Sequence, residues 1–219
     1  MRTQSLSVLA ATALSVSALP NQLGKRDVVN DPNGNIKITF SDETVKIGTV
    51  KIDDIIGDLA KACSTQGQCD TSALSLDGQL IGAGRGGEVD DITITVDPSG
   101  AYPTWIHNGL IDGLAAAVKA VAKCEDVTHS NDCAGSVMSY CPPNEVTVNE
   151  CTVPQYWGIN YQAPDSSNAA PPFIGADLTV EVDNGGFCTT LLTSMGAVAG
   201  AINGVGGGVF TLLSLACKD

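Results

Sequence analysis

Apolar and polar residues alternate along Ile36-Lys37-Ile38-Thr39-Phe40 and again along Val45-Lys46-Ile47-Gly48-Thr49-Val50-Lys51-Ile52. A period of two marks strands with one buried face, and Ser41-Asp42-Glu43 between them predicts a hairpin turn. The period then lengthens. Ile52, Ile55, Ile56, Leu59, Ala60 and Cys63 follow helical spacing, with Asp53 and Asp54 at the helix start, where carboxylates meet the positive end of the dipole. Short strands are expected near 73–76 and 79–81, and a clear one over 92–96, closed by the turn Asp97-Pro98-Ser99-Gly100. Thr104 is the expected N-cap of a long helix that turns Ile106, Leu110, Leu114, Ala117, Val121 and Cys124 inward. His107 falls beside its wet boundary and reads as a partly exposed structural residue. Two further stretches, 145–151 and 153–161, predict a second hairpin with Trp157 and the tyrosines on one face. Residues 163–172 are composed like a loop, and 177–183 alternate like a strand.

From Phe187 to Cys217 there is no charged side chain in thirty-one residues. Read as a helix, this segment places Gly196, Gly200, Gly204 and Gly208 on one face, a ridge that lets another backbone approach closely. Gly206-Gly207-Gly208 should break the helix and leave two apolar pieces, 189–204 and 209–217. Alternating strands with two or three helices predict an α+β fold, a two-layer sandwich of a mainly antiparallel sheet with the helices on one face. In that fold the glycine ridge packs the last helix. The alternative is insertion of 187–217 into a membrane, since about 20 apolar residues suffice for a span. Threonines, serines, Asn203 and the triple glycine weigh against a stable span, and the ending Cys217-Lys218-Asp219 weighs against a lipid-anchor signal.

The front of the chain reads as a secretory signal over 1–18: Arg2, an apolar stretch from Leu6 to Leu14, and small residues ending at Ala18. Residues 19–26 form an expected propeptide ending at Lys25-Arg26, a pair that resembles the site of kexin-type proteases of fungi. The rest, 27–219, is expected to be one disulfide-rich domain of about 190 residues, large enough for a core of its own. Two related strand-helix units, about 27–162 and 173–219, are a further possibility within it: strand, Asp-turn, helix and cysteine recur in both. Loss of Arg2, Lys25 and Arg26 leaves eight basic against twenty-four acidic residues, a formal charge of −16. That balance excludes nucleic acid and anionic lipid as electrostatically driven partners.

Eight cysteines, Cys63, Cys69, Cys124, Cys133, Cys141, Cys151, Cys188 and Cys217, predict four disulfides in an oxidising compartment, with Cys63–Cys69 and Cys141–Cys151 the expected local pairs. Zinc is disfavoured, because there is no CxxC and the two histidines are His107 and His129. No cofactor motif is found, and the glycine-rich 82–87 lacks the Gly-Lys-Ser/Thr of a phosphate loop. Adjacent acids at Asp53/Asp54, Asp90/Asp91 and Glu125/Asp126 read as solvated turns and helix starts. Tyr102/Trp105 and Tyr156/Trp157/Tyr161 are the places where a carbohydrate platform would have to be built.

Cys63-x5-Cys69 resembles the first cysteine pair of the small α/β-sandwich killer toxins, and Leu178-Thr179-Val180 ahead of Cys188 resembles their late strand-then-cysteine arrangement. The uncharged glycine-rich helix is similar to the hydrophobic central helix of a salt-mediated yeast killer toxin. This resemblance, to fungal cysteine-rich effectors and killer toxins, covers about a fifth of the chain. It implies a secreted protein that acts extracellularly on a host plant or a competing microbe by binding rather than catalysis. The virally encoded relative is basic whereas this chain is acidic, so no active residue carries over. A membrane-permeabilising toxin and a structural cell-wall protein are the alternatives. The surface target and the oligomeric state stay open.

Overall fold

The structure, a computed structural model, describes residues 26–64, 66–81, 89–130, 145–162, 170–180, 182–183 and 187–218. In chain order the elements are β1 (Arg26–Val29), β2 (Ile36–Ser41), β3 (Thr44–Gly48), α1 (Ile52–Ala62), β4 (Leu74–Ile81), β5 (Val89–Ala101), α2 (His107–Val121), β6 (Lys123–Ser130), β7 (Glu145–Pro154), β8 (Tyr156–Tyr161), β9 (Phe173–Thr179), β10 (Val182–Asp183), α3 (Phe187–Asn203) and β11 (Leu212–Lys218). Among the described residues the strands form two sheets, β1-β11-β2-β8-β9-β5-β4 and β10-β3-β7-β6. All pairings are antiparallel except β11 with β2. The helices cover one face of the larger sheet, giving the expected disulfide-stapled α+β sandwich. Ile38, Phe40, Trp157, Ile159, Ile174 and Ala176 line that face and are fully buried.

Neither predicted hairpin exists, and one geometry accounts for both. β2 runs into β3, and β7 into β8, without reversing: β2 pairs with β8 in the larger sheet and β3 with β7 in the smaller. The two continuous strands bend together at 41–44 and 154–156, so a single ribbon belongs to both sheets. The bend is held by polar side chains. Ser41 Oγ donates to the Glu43 carbonyl and accepts the Tyr156 N–H, both at 2.8 Å, and Trp157 Nε1 donates to the Pro154 carbonyl at 2.6 Å. Because side chains alternate, Trp157 faces the helices while Tyr156 faces away.

The predicted turn at 97–100 is also strand. Asp97, Pro98, Ser99 and Gly100 pair with Asp177, Ala176, Gly175 and Ile174 of β9. Pro98 is tolerated because β4 stops pairing at Val96, so the missing N–H points to no strand. A three-residue 3-10 turn, Thr104–Ile106, precedes α2, so the cap position of α2 falls to Ile106 rather than the expected Thr104. The helix ends at Val121, which puts Cys124 in β6. There Cys124 lies directly opposite Cys151, and these two are bonded. This corrects the Cys141–Cys151 expectation: antiparallel register, rather than closeness in sequence, selects the partner. Cys63–Cys69 forms as expected, while Cys133 and Cys141 lie outside the described residues. The two stretches read as related strand-helix units share one sheet, in which β5 and β9 are neighbours.

The uncharged tail folds as helix, glycine turn and strand. Gly206, Gly207 and Gly208 all have positive φ (61°, 71° and 87°), a backbone that side chains resist, and they reverse the chain into β11. β11 is a strand because it enters the sheet between β1 and β2, where its Leu212, Leu215 and Ala216 are buried. Cys188, at the start of α3, is bonded to Cys217 on β11, closing a separation of 29 residues. A closure of that length stabilises a chain by roughly 3.5 kcal/mol in the chain-entropy picture.

The glycine ridge of α3 does not pack the helix. Gly196 and Gly200 are exposed, with no atom within 4 Å of where a Cβ would stand; Gly204 meets only carbonyls of its own last turn, and Gly208 belongs to the reversal. Leu191, Val198 and Ile202 on the opposite stripe are buried instead. Each such side chain gains about 2 kcal/mol on burial and a glycine almost nothing, so the bulky stripe turns inward. The ridge that does admit close packing is in α2. A Cβ at Gly109 would overlap the Phe210 ring, and one at Gly113 would lie 2.9 Å from Ile159 Cδ1. Gly109→Ala should therefore lower stability by about 1–3 kcal/mol through overpacking, offset only in part by helix propensity. Gly196→Ala and Gly200→Ala should each raise it by up to about 1 kcal/mol. Urea midpoints at unchanged m-value measure both signs. Ser41→Ala, which strands the Tyr156 N–H at the bend, should cost about 1–3 kcal/mol in the same assay.

Candidate functional site

Of the paired acids, Asp53 holds Lys119 at 2.5 Å, Asp91 accepts from Gln79 Nε2 at 3.1 Å, and Asp126 accepts from Asn149 Nδ2 at 2.8 Å. These are solvated surface contacts on separate elements. The acids that do converge come from two strands and the bend. Asp97 and Asp177 are direct cross-strand neighbours, with Tyr156 on the far side of Asp177, on the sheet face turned away from the helices, and Glu43 acts on Asp177 from the bend. Burial pushes the Asp177 carboxyl above its ordinary value; Lys218 pulls it back, and Asp97 and Glu43 push it further up. Burial and then Asp177 raise the Tyr156 phenol. Its ring folds over a glycine row: a Cβ at Gly158 or Gly175 would come within 2.7 or 3.1 Å of the Tyr156 hydroxyl, and Lys218 Nζ lies 5.2 Å from the ring centroid.

Asp42, Cys188 and Cys217 approach one another closely enough to suggest a metal site, but the two sulfurs are bonded to each other. The Asp42 carboxylate instead serves the start of α3, where its Oδ1 accepts the Cys188 N–H at 2.7 Å. His107 is buried rather than partly exposed, as its ring lies against Tyr102 (centroids 5.3 Å apart) and Nδ1 shares a 2.8 Å hydrogen bond with Asn108 Oδ1. Two shallow grooves, of about 470 and 580 Å³, meet where α1 ends. The charges there are engaged locally, Lys61 with Asp58 at 2.6 Å and Asp70 with the Ser72 N–H at 2.9 Å.

The remaining candidate is the end of the larger sheet farthest from the bend. Of the aromatic positions singled out from sequence, the fold brings Trp105 and Tyr161 together there and buries Trp157 and Tyr102. The Trp105 and Tyr161 rings meet edge to face at 5.8 Å, and Tyr161 meets Phe210 in the same way at 6.2 Å. Asn35 secures the floor: its Nδ2 donates to the Val209 carbonyl at 2.9 Å and its Oδ1 accepts the Thr211 N–H at 3.0 Å. Trp105 (70 % exposed), Val209 (65 %) and Val29 (59 %) are the exposed large hydrophobic residues of the described chain, and all three lie at this end. Apart from the strand of Val29, which carries Arg26 and Asp27, the described segments that build it, 32–36, 98–111, 151–162, 170–176 and 187–217, carry no Asp, Glu, Lys or Arg. Asp31, Lys37 and Asp112 stand at their margins. In a chain of net charge −13, these described segments form a neutral pole.

Among known proteins, no family model, curated protein or solved structure matches the chain. Among the described residues no helix is long and apolar enough to cross a membrane. The outer-face acids give a pH signature. Asp177 ionises less readily folded than unfolded, so its charge lowers stability above its folded pKa. That loss is recovered as pH falls through the raised pKa toward the unfolded value of about 4. Asp177→Asn should raise the melting temperature at pH 7, with the gain fading below about pH 4; equal gains at both pH values would exclude the carboxyl as the cause.

Proposed function

We infer that this chain is a secreted binding protein of the effector or killer-toxin kind, acting outside its cell of origin on a host plant or a competing microbe. The observation that carries the reading is the neutral pole, an exposed aromatic and apolar surface held on a rigid cystine-tied frame. Exposed hydrophobic side chains gathered in one place mark interaction surfaces. Three described cystines are of the sort that extracellular proteins carry, and they protect a frame that must last among proteases. The secretory signal and dibasic site supply the route out of the cell, and the killer-toxin-like cysteine spacing points to the same class of protein.

Recognition rather than catalysis is the activity proposed, because the surface is apolar and its described segments carry no charge. The test is to apply oxidised, purified protein to leaves by infiltration and to fungal cultures. Cell death, defence induction or growth arrest in either is the expected result, and no response in both would overturn the reading. Dye release from liposomes in parallel would move the assignment to membrane permeabilisation.

A further inference from the structure

Resting on that reading and deepening it, we propose that the neutral pole binds an uncharged polysaccharide whose sugar rings stack on Trp105. The indole is exposed yet positioned. It sits in the 3-10 turn after Pro103, closed by the Ile106 N–H donating to the Pro103 carbonyl at 3.1 Å, and Tyr161 braces its ring from one side. Tyr161 is in turn backed by Phe210, which lies in the gap left by Gly109. A flat apolar ring fixed in advance loses little entropy when a ligand settles on it.

Charge decides the class of ligand. An anionic glycan, nucleic acid or anionic membrane meets no cation in the segments of the pole and faces an acidic protein beyond it. A cationic ligand would be drawn instead to the acids elsewhere on the chain. An uncharged ligand is indifferent to both. The polar groups present are amides and hydroxyls: Asn33, Thr104, Asn108 and Gln162 are exposed at this end. Amides both donate and accept, as sugar hydroxyls do. A lipid interface would reward a broad apolar face flanked by several Lys and Arg, whereas the margin here carries Lys37 beside the acids Asp31 and Asp112. A stable protein partner would bury about 800 Å² on each side around several anchors, whereas one aromatic ring here is strongly exposed.

The test uses the oxidised, processed protein in sedimentation with insoluble β-1,3-glucan, chitin and cellulose, and titration with soluble oligomers of each. Binding to at least one neutral glycan is expected, weakened at least tenfold by Trp105→Ala and largely retained by Trp105→Phe, with melting temperatures unchanged because the ring is exposed. Trp157 is fully buried, so a ligand-induced change in tryptophan emission should vanish in Trp105→Phe. Three results would overturn the proposal: binding undiminished in Trp105→Ala, no binding to any neutral glycan, or binding confined to polygalacturonate or to vesicles. A cellular response without glycan binding would remove this ligand and leave the effector reading standing. Glycan binding without any cellular response would do the reverse.

Discussion

The bend at Ser41-Asp42-Glu43 is the constraint on which the rest of the structure depends. Four chain segments meet within three residues. Ser41 holds the start of β8, and the Glu43 carbonyl accepts from Gln155 at the end of β7. The Asp42 N–H donates to the Lys218 carbonyl at the end of β11, and its carboxylate receives the first turn of α3. Both sheets, the last helix and the last strand are thus registered at one point. The Cys188–Cys217 bridge adds a covalent tie between two of the same segments. With the polar junction fixed at this end, the opposite end of the sheet is free to carry loops and the neutral surface.

Such an arrangement makes the C-terminal strand indispensable. β11 lies between β1 and β2, so the larger sheet is incomplete until the final residues have entered it. Contacts between residues far apart in sequence dominate the core, a topology that folds slowly compared with helical bundles. Absence of charge from 187 to 217 has a cause over part of that length. The inner stripe of α3 and the strand β11, flanked on both sides, have no room for a solvated charge, whereas the exposed side of α3 does.

What could be read from sequence was local. The 3.6-residue period over 52–63 marked α1, and alternation over 36–40, 45–52 and 92–96 marked β2, β3 and part of β5, because both patterns are set by which face meets the core. Partners were not legible. Alternation in 36–52 is the same whether the chain reverses at Asp42 or bends there, and a deciding group, Ser41 Oγ, acts on Tyr156, more than a hundred positions away. Cys151 found Cys124 through a register that no spacing encodes. In α3 the glycine period was real but marked the solvent side, whereas Gly109 and Gly113, with the same spacing in α2, were overlooked because larger neighbours masked them. Trp105 and Tyr161 were visible as aromatics. Only the fold shows that one braces the other.

The position of β1 bears on maturation. Arg26 and Asp27 lie opposite Cys217 and Ala216 in the antiparallel register at the sheet margin. An endoprotease that cuts after Arg26 must draw the residues on either side into its own cleft as an extended segment, the conformation they already use against β11. Cleavage and zippering therefore compete for one stretch of backbone. Were the chain cut after Arg26, as the proposed processing site requires, the cut would have to precede closure of this margin or catch a moment when its four residues peel away.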